Sequence, residues 1–394
     1  MSRIYGSDRT RGQIAELAGD LAAFGGVRLV TLGDGVERGQ RMLDFRTGSG
    51  LRFTVLVDRA MDIAEVEHKG RSIGWHAPTG FRAPALHELE GEDGLGLLRG
   101  FSGFLVTCGL DHILGDEVVS AETYDYPRRS RVTQPLHGRI AMEPARLVGY
   151  GERWEGDRCI LWAEGEIRQA ANFAENLRLV RRIEADLGSD EIRLIDRVVN
   201  VGFSDTPHML LYHVNIGHPV LDAGSRYLAP VRDVLWASHA DAYEAQGVGY
   251  ARACAPRVPF TEQVWEHEMA ADADGRVPVA LVNDGLGLGI EVETLQAQLP
   301  CNYAWQNFRS GAYAFGLEPA THHIPGDGFA RERGEMIWLG PQETRDYEAS
   351  FRVLDGAEAI AASETRIRAI AEQPDEDFPP PSGNFRRLWG AGEG

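Results

Sequence analysis

The sequence predicts an all-β protein, a large antiparallel β-sandwich with short peripheral helices. Short runs rich in β-branched and aromatic residues recur along its 394 residues, and its 46 glycines and 19 prolines supply turn signals between them. Strands do not alternate regularly with helical patterns, as they would in βαβ units. The sequence contains neither a glycine-rich phosphate loop nor a repeat of 20–50 residues, so nucleotide-binding, solenoid and propeller folds are not expected.

Residues 191–200 carry the clearest strand pattern, because Ile192, Leu194 and Val198 alternate with charged residues. Residues 177–183 precede this strand across a turn, which predicts an antiparallel hairpin. The other predicted strands are 27–32, 41–47, 52–57, 145–150, 159–163, 209–214, 278–282, 288–293, 312–318 and 345–353.

Two helices are predicted near the ends of the chain. Residues 10–18 are compatible with a short helix, and residues 356–372 have a helix-forming composition. In the second segment Ile360, Ile367 and Ile370 lie roughly on one helical face, which predicts packing against the sandwich.

The last segment, Gln373–Gly394, is rich in proline, glycine and charge. This composition predicts a mobile tail or one that follows the protein surface. The expected organisation is a β-sandwich domain over residues 1–355, followed by a C-terminal helix and tail over residues 356–394.

Charge and composition restrict the location and the partners. The formal net charge of −19, from 40 basic and 59 acidic residues, disfavours a nucleic-acid partner. No apolar run approaches the ~18–20 residues of a membrane span, and no secretory signal begins the sequence. The four cysteines are far apart, which fits a reducing compartment. We therefore expect a cytoplasmic protein that acts on a small molecule, and a homodimer is left open.

The segment Gly316–His323 reads Gly-Leu-Glu-Pro-Ala-Thr-His-His and contains the strongest candidate for catalysis. Glu318 follows an apolar run, and Pro319 is expected to end strand pairing because it has no N–H. The carboxylate is thus expected at the C-terminal end of a strand, close to His322 and His323, where it could act as a general base. A structural rim glutamate is about as compatible with this segment taken alone.

Two further histidines have neighbours in the sequence that bear on their position and role. His137 precedes Gly138, which allows a close backbone approach or an unusual φ. His213 and Asn215 lie on the same face of one predicted strand, a polar pair that is costly to bury without partners. Each histidine taken alone is more often structural than functional.

Metal and nucleophilic sites have little support. The sequence has no His-x-His or His-Glu-x-x-His pattern, although a site formed by three scattered histidines stays open. No Gly-x-Ser-x-Gly elbow and no cysteine in an activating context are present. We therefore expect no metal and no cofactor.

Three motifs, Leu136-His137-Gly138, Tyr212-His213-Val214-Asn215 and Gly316-Leu317-Glu318-Pro319, occur in the order seen in a known superfamily. Over about residues 10–355 the chain resembles the aldose 1-epimerase, or galactose mutarotase-like, superfamily. Its N-terminal half, with residues 56–63 and 98–103, is most similar to the DUF4432 branch. The resemblance implies a β-supersandwich with a sugar site.

The resemblance also implies roles for individual residues. Glu318 matches the general base of the superfamily and His213 its general acid, which should be protonated in the resting complex. His137 matches the second histidine near the ring oxygen, and His322 and His323 become candidates for the rim of the site or for the layer of residues behind it. The expected substrate-binding residues are Arg99, His112, Arg139, Asn215, Trp305 and His322.

Two departures from the superfamily bear on the substrate. Its substrate-binding aspartate has no clear counterpart in this chain, and Arg139 replaces the second glycine of its Leu-His-Gly-Gly motif. Arg139 and Arg99 could together bind an acidic or otherwise modified sugar. Tyr303, Trp305 and Phe308 could supply an aromatic platform, or they could be core residues.

Three functions follow from these observations. The first is a mutarotase or related sugar epimerase that acts by general acid–base ring opening. The second is an isomerase or lyase with the same fold that acts on a keto sugar or on an acidic or otherwise modified sugar. The third is a non-catalytic carbohydrate-binding protein.

Overall fold

A computed structural model describes residues 1–122, 124, 129–239, 246–374 and 378–389. Its strands form three large sheets and two small hairpins, and every strand pair in them is antiparallel. The predicted all-β sandwich is confirmed. Within the described ranges, no helix combines the length and the apolar character that crossing a membrane requires.

The first ten strands lie before residue 135. They are β1 (Ser2–Ile4), β2 (Ser7–Arg9), β3 (Gly26–Thr31), β4 (Arg41–Arg46), β5 (Leu51–Leu56), β6 (Asp62–His68), β7 (Arg71–Ser72), β8 (Leu105–Leu110), β9 (Glu117–Ser120) and β10 (Arg131–Gln134).

The later strands complete the sandwich. They are β11 (Arg146–Glu155), β12 (Arg158–Ala170), β13 (Asn176–Asp186), β14 (Glu191–Asn200), β15 (Thr206–Ile216), β16 (Arg226–Leu228), β17 (Val231–Ala237), β18 (Gln263–Met269), β19 (Arg276–Asn283), β20 (Leu288–Leu295), β21 (Cys301–Asn307), β22 (Ala314–Ala320), β23 (Ile337–Leu339) and β24 (Thr344–Asp355).

Short helices lie at the periphery. The α-helices in the described ranges are α1 (Arg11–Leu17), α2 (Gly326–Arg333) and α3 (Ala357–Ile370). Both predicted helices are confirmed, whereas α2 was not anticipated. Helix α3 buries Ile360 and Ile367 against Val282 and Leu354, so its apolar face covers one sheet as expected.

The three large sheets have simple strand orders. The N-terminal sheet is β3-β4-β5-β6-β7, and the longest sheet is β11-β12-β13-β14-β24-β20-β19-β16. The third sheet is β17-β18-β21-β22-β15-β23, and β8 pairs with β15 beside it. We call this third sheet, with β8, the site sheet, because it carries the candidate functional residues.

The main core lies between the sheets and contains side chains from all three of them. Alternate residues of β15 divide between the two faces of the site sheet. Leu210, Tyr212 and Val214 pack into the main core, and His213 therefore projects to the opposite face. The site sheet thus has one face in the core and one face free to form a cavity.

The C-terminal tail follows the surface where it is described. The backbone N–H groups of Ser382 and Gly383 donate to Val234 and Leu235 of β17, and Arg386 donates to the carbonyl of Pro300. Tail residues 375–377 and 390–394 lie outside the described residues. The division into residues 1–355 and 356–394 stays a prediction.

Candidate active site

Glu318 and His213 lie on adjacent strands of the site sheet. Strands β15 and β22 pair in one register before and after these two residues, because Val214 lies opposite Leu317 and Leu211 lies opposite Ala320. This register places His213 across from Glu318, and the His213 Nε2 atom lies 3.2 Å from the Glu318 Oε1 atom. Their side chains are only 4% and 3% exposed, so an imidazole and a carboxyl group meet in a nearly dry environment.

The expectation that Pro319 ends strand pairing is wrong. Strand β22 continues to Ala320, and Pro319 pairs with Asn302 of β21. A strand residue directs its N–H to one neighbour only, so a proline removes one ladder bond and leaves the other side intact. Glu318 consequently lies inside the sheet rather than at a strand end, and its neighbouring imidazole is His213.

Gly316 makes room for this pair. It lies two residues before Glu318 on the same face of β22 and is paired with Trp305 of β21. A Cβ atom at Gly316 would lie 2.5 Å from Glu318 Oε1, 3.0 Å from Trp305 Cβ and 3.2 Å from His213 Cε1. Only glycine leaves the carboxyl, imidazole and indole groups in their present positions.

His137 reaches the same cavity from a tight turn. His137 and Gly138 both have left-handed φ angles, of 60° and 73°. A Cβ at Gly138 would lie 2.3 Å from the carbonyl oxygen of Gly109, so the expected close approach at this glycine is confirmed. The His137 Nδ1 atom accepts a hydrogen bond from the N–H of Leu114. In the neutral ring the proton is therefore on Nε2.

Burial sets the charge state of the site. It raises the pKa of Glu318 from 4.5 to about 8, with the charge of Glu262 acting in the same direction. Burial, and then His137, lowers the pKa of His213 well below 6.5. Burial, and then His112, lowers the pKa of His137 to about 3. At neutral pH these shifts favour the proton on Glu318 in the free protein, and the protonated His213 expected in the resting complex stays a prediction.

Aromatic rings surround His213. The ring centroid of Phe101 lies 4.8 Å from that of His213, and the Trp305 centroid lies 5.3 Å from it. Trp75 packs against both Phe101 and Trp305, at 5.7 and 6.0 Å between centroids. The Trp305 Nε1–H donates to Glu262 Oε2 at 3.0 Å. Trp305 thus presents an oriented ring edge-on to His213.

These groups line a cavity of about 770 Å³, a size typical of small-molecule sites. No lysine or arginine is among the described residues of its wall. The wall is formed by Trp75, Ala77, Pro78, Thr79, Leu95, Leu97, Leu98, Phe101, Leu114, Gly115, Leu136, His137, His213, Trp236, Ser238, Glu262, Val264, Trp305, Asn307, Ala312, Glu318 and Ile324.

Both arginines expected to bind substrate are held elsewhere. Arg99 is exposed and forms an ion pair with Glu92. Arg139 forms an ion pair with Glu90 and donates to the side chain of Gln134. Local carboxylates compete for both guanidinium groups, so neither arginine is part of the cavity wall.

The other expected binding residues support the site from behind. The Asn215 amide donates to the carbonyls of Gly103 and His213 and is fully buried. The His112 Nε2–H donates to the carbonyl of Gly115, a residue of the cavity wall. Neither Asn215 nor His112 is itself part of that wall.

His322 is not a rim residue. Its side chain is fully buried, and its Nδ1 lies 2.8 Å from the hydroxyl of Thr321. The next histidine, His323, is also buried, and its two ring nitrogens contact Glu266 and the carbonyl of Arg386. Both residues lie beyond the strand in a packed corner, so a rim position is wrong, and a position behind the site stays a prediction.

Two of the expected platform aromatics are also buried. Tyr303 is 1% exposed and donates its hydroxyl to the carbonyl of His322, and Phe308 packs in the main core. Only Trp305 of the three expected aromatics lines the cavity. The rings of Phe101 and Trp75 pack beside it in the wall.

Several wall residues were missed by sequence reasoning. Trp75, Phe101 and Trp236 have no local signal that separates them from core aromatics. Glu262 had a usable signal, because it directly precedes β18 and shares a period of two with Val264 and Glu266 of that strand. It places a second carboxylate at the mouth of the cavity.

A metal site of three histidines is not found in the described ranges. The group there whose ligand atoms lie within 4.8 Å of one another is Glu266, Cys301 and His323. The side chain of His323 already bonds on both ring nitrogens, so an ion pair with Glu266 accounts for this cluster.

The antiparallel sheets form a galactose mutarotase-like β-sandwich fold. Within it, the chain belongs to the family described as a domain of unknown function, DUF4432, whose model matches residues 37–353. No match is found among curated protein sequences.

Solved structures share the fold. A candidate aldose 1-epimerase from Klebsiella pneumoniae subsp. pneumoniae MGH 78578 has a TM-score of 0.78 and 24% identity, with 88% of each chain covered. A galactose mutarotase-like protein from Clostridium acetobutylicum has a TM-score of 0.56 and 11% identity, over 84% of this chain and 98% of that one. An aldose epimerase homologue from C. elegans has a TM-score of 0.52 and 10% identity, over 80% and 99%.

Proposed function

We propose that this protein interconverts the anomers of an aldose by general acid–base ring opening. The observation that carries the proposal is the His213–Glu318 pair, whose Nε2 and Oε1 atoms lie 3.2 Å apart on the wall of a cavity of about 770 Å³. Anomer exchange needs one group that removes a proton and one that supplies a proton. At any pH between the low pKa of His213 and the pKa of about 8 of Glu318, the two side chains together hold one proton.

The reaction removes one proton and supplies one proton, and this pair can do both. In the tautomer with a Glu318 carboxylate and a His213 imidazolium, Glu318 takes the proton of the anomeric hydroxyl and His213 protonates the ring oxygen. The bond between the anomeric carbon and the ring oxygen breaks, and the anomeric C–O bond becomes a carbonyl. After rotation about the C1–C2 bond, the reverse transfers close the ring on the other face. The pair then has its starting proton count.

The remaining wall groups suit a sugar. His137, with its proton on Nε2, would donate to a sugar oxygen, and the carboxylate of Glu262 would accept from a hydroxyl group. Trp305, Phe101 and Trp75 offer ring surfaces for the C–H faces of a pyranose.

The cavity favours a neutral sugar over an acidic one. Its described wall has no cationic side chain, and it carries the carboxyl groups of Glu262 and Glu318. Because Arg99 and Arg139 are paired with Glu92 and Glu90, the main support for a sugar acid is weakened. The isomerase or lyase alternative still shares the Glu318 base, and the binding-only alternative shares the aromatic cavity.

Exchange-transfer NMR with a panel of neutral aldoses, ketoses and sugar acids tests the proposal. We expect accelerated exchange between the α and β anomers of at least one aldose, without a new compound. A new ketose or an unsaturated product would instead support the isomerase or lyase. Saturable sugar binding without any acceleration would support the binding protein. A cytoplasmic location and a homodimer stay predictions.

A further inference from the structure

Arg139 lies outside the cavity wall, but its guanidinium group contacts three separate parts of the chain. Nε and Nη2 donate to Glu90 Oε1 at 3.2 and 3.0 Å, and Nη2 also donates to the carbonyl of Thr133 at 3.3 Å. Nη1 donates to the side chain of Gln134 and lies 4.0 Å from Asp111 Oδ2. The Arg139 side chain is 20% exposed, so these contacts are largely sheltered from solvent.

A buried polar network holds the inner end of Arg139. Asp111 is 1% exposed and accepts hydrogen bonds from the side chains of Tyr124, Gln134 and Gln169. Gln134 thus donates to Asp111 and accepts from Arg139, which orients its amide. The guanidinium is therefore anchored in the interior of the protein.

The backbone beside this anchor carries His137. The Arg139 N–H donates to the carbonyl of Gly109, and the Gly109 N–H donates to the carbonyl of His137. The His137 N–H donates to the carbonyl of Leu114, which also lines the cavity. Arg139 and His137 therefore belong to one hydrogen-bonded unit beside the cavity.

The leucines of the cavity wall come partly from a surface loop. We call residues 84–99 the wall loop, and three short helical turns make up most of it. It supplies Leu95, Leu97 and Leu98 to the cavity. Leu95 and Leu98 are 39% and 53% exposed, so burial of these side chains holds the loop only weakly.

Two polar contacts join the wall loop to the turn that carries His137. The Leu136 N–H donates to the carbonyl of Gly94, and the Arg139 guanidinium donates to Glu90. Both donors are close to His137 in the sequence. The Glu90 side chain is 65% exposed, so this ion pair lies at the surface and can be broken without a change in the core.

We propose that Arg139 is a positioning residue that holds the wall loop beside the His137 turn through Glu90. The inference rests on the proposed anomer exchange, because it assigns Arg139 a part in shaping the cavity for that reaction. Two N–H groups of one planar guanidinium bond to the same carboxylate oxygen, so the pair restricts the direction as well as the distance of the loop. Without the pair the loop occupies its wall position for a smaller fraction of the time, and the apparent affinity for the sugar falls by that fraction.

Hydrogen–deuterium exchange of the full-length protein tests the contact itself. Glu90→Gln removes the loop carboxylate, and we expect deuterium uptake in peptides of residues 84–99 to become about 2- to 5-fold faster. Glu88→Gln is the matched control, because it removes the same charge from an exposed glutamate of the same loop that has no ion pair among the described residues. Its uptake should equal that of the wild type. In an Arg139→Met background, Glu90→Gln should have no further effect, because the partner is already absent.

The separation of KM from kcat tests the effect on the site. With D-glucose or D-galactose, whichever changes anomer faster, Glu90→Gln should raise KM about 2- to 5-fold. Its kcat should stay within about twofold of wild type, because the His213–Glu318 pair is untouched. Arg139→Lys keeps the charge but not the planar group, and its KM should lie between the wild-type and Arg139→Met values.

Deuterium uptake in Glu90→Gln equal to that in Glu88→Gln would overturn the proposal, and so would faster uptake with an unchanged KM. The same increase from Glu90→Gln with and without Arg139 would also overturn it. If Arg139→Met does not fold, the comparison of Glu90→Gln with Glu88→Gln decides. A wild type without anomer exchange would refute the proposed function, whereas deuterium uptake would still decide whether Arg139 holds the loop.

Discussion

The Nε2 atom of His213 lies 3.2 Å from the Oε1 atom of Glu318, and the two side chains project from adjacent strands into one cavity. Their burial works against an ion pair, because it disfavours the charged form of each group. The pair therefore rests neutral with one proton, which is the number that a paired acid and base require.

The rate of anomer exchange should depend on pH through this proton. As pH rises through about 8, Glu318 loses its proton, the pair is left without an acid, and kcat/KM of the free enzyme should fall. At a pH well below 6.5 a second proton on His213 should remove the base and lower kcat/KM again. A pH profile by NMR exchange checks both limbs, and a rate that keeps increasing above pH 9 would contradict the assignment.

Glu262→Gln should move the alkaline limb of that profile. The charge of Glu262 contributes to the raised pKa of Glu318, so its removal should lower that pKa and shift the limb to lower pH. The matched control is Glu191→Gln on β14, where the glutamate pairs with Arg352 far from the cavity wall. An unchanged limb in Glu262→Gln would show that the two carboxyl groups do not interact.

Glu318→Gln should stabilise the protein selectively at high pH. The folded-state pKa of Glu318, about 8, lies above the ordinary 4.5. The contribution of Glu318 to the free energy of unfolding is therefore fully present below pH 4.5 and is lost as pH rises through 8. A glutamine resembles the protonated side chain, so the variant should gain roughly 2–4 kcal/mol at pH 9 and little at pH 5. Urea unfolding at both pH values measures this, and equal differences at the two would contradict it.

Gly316→Ala should lower activity by a steric effect alone, without any change of charge. The added methyl would lie 2.5 Å from Glu318 Oε1, so the carboxyl group must move away from His213. We expect at least a tenfold loss of kcat and a destabilisation of about 1–3 kcal/mol. Gly33→Ala, at a glycine with open space around it, is the control and should leave the exchange rate unchanged.

Arg99→Met should leave substrate binding nearly unaltered, because this side chain pairs with Glu92 and is not part of the cavity wall. We expect KM for the best sugar to stay within about twofold of wild type, as for other exposed ion pairs of small energetic value. Trp305→Ala, which removes a wall ring, should raise KM clearly in the same assay. A large KM increase in Arg99→Met would restore the arginine as a substrate ligand.

The clearest two-residue period belongs to the strand whose bounds were predicted most accurately. Residues 191–200 were predicted with their observed bounds, because one face of β14 packs in the core and the other carries charge. Strands β8 and β21 were missed, whereas the equally buried β15, β20 and β22 were predicted. A strand that is covered on both faces has no alternating pattern, so its detection depends on whether its apolar run stands out from its neighbours in the sequence.

The candidate site was found in part, for a related reason. His137, His213 and Glu318 stand beside short motifs, whereas Trp75 and Phe101 reach the cavity only through tertiary packing. The charge state of the His213–Glu318 pair depends on burial. The ion pair of Arg139 with Glu90 joins residues that are far apart in sequence. No local pattern encodes either property.

The most direct test of the central claim is the anomer-exchange rate of Glu318→Gln and of His213→Asn, measured by NMR at pH 7 on the best aldose. We expect each variant to lose roughly 10²- to 10⁴-fold in kcat while Glu191→Gln keeps the wild-type rate. Loss of turnover with sugar binding retained would assign the pair to catalysis. Exchange rates in both variants equal to the wild-type rate would contradict the account.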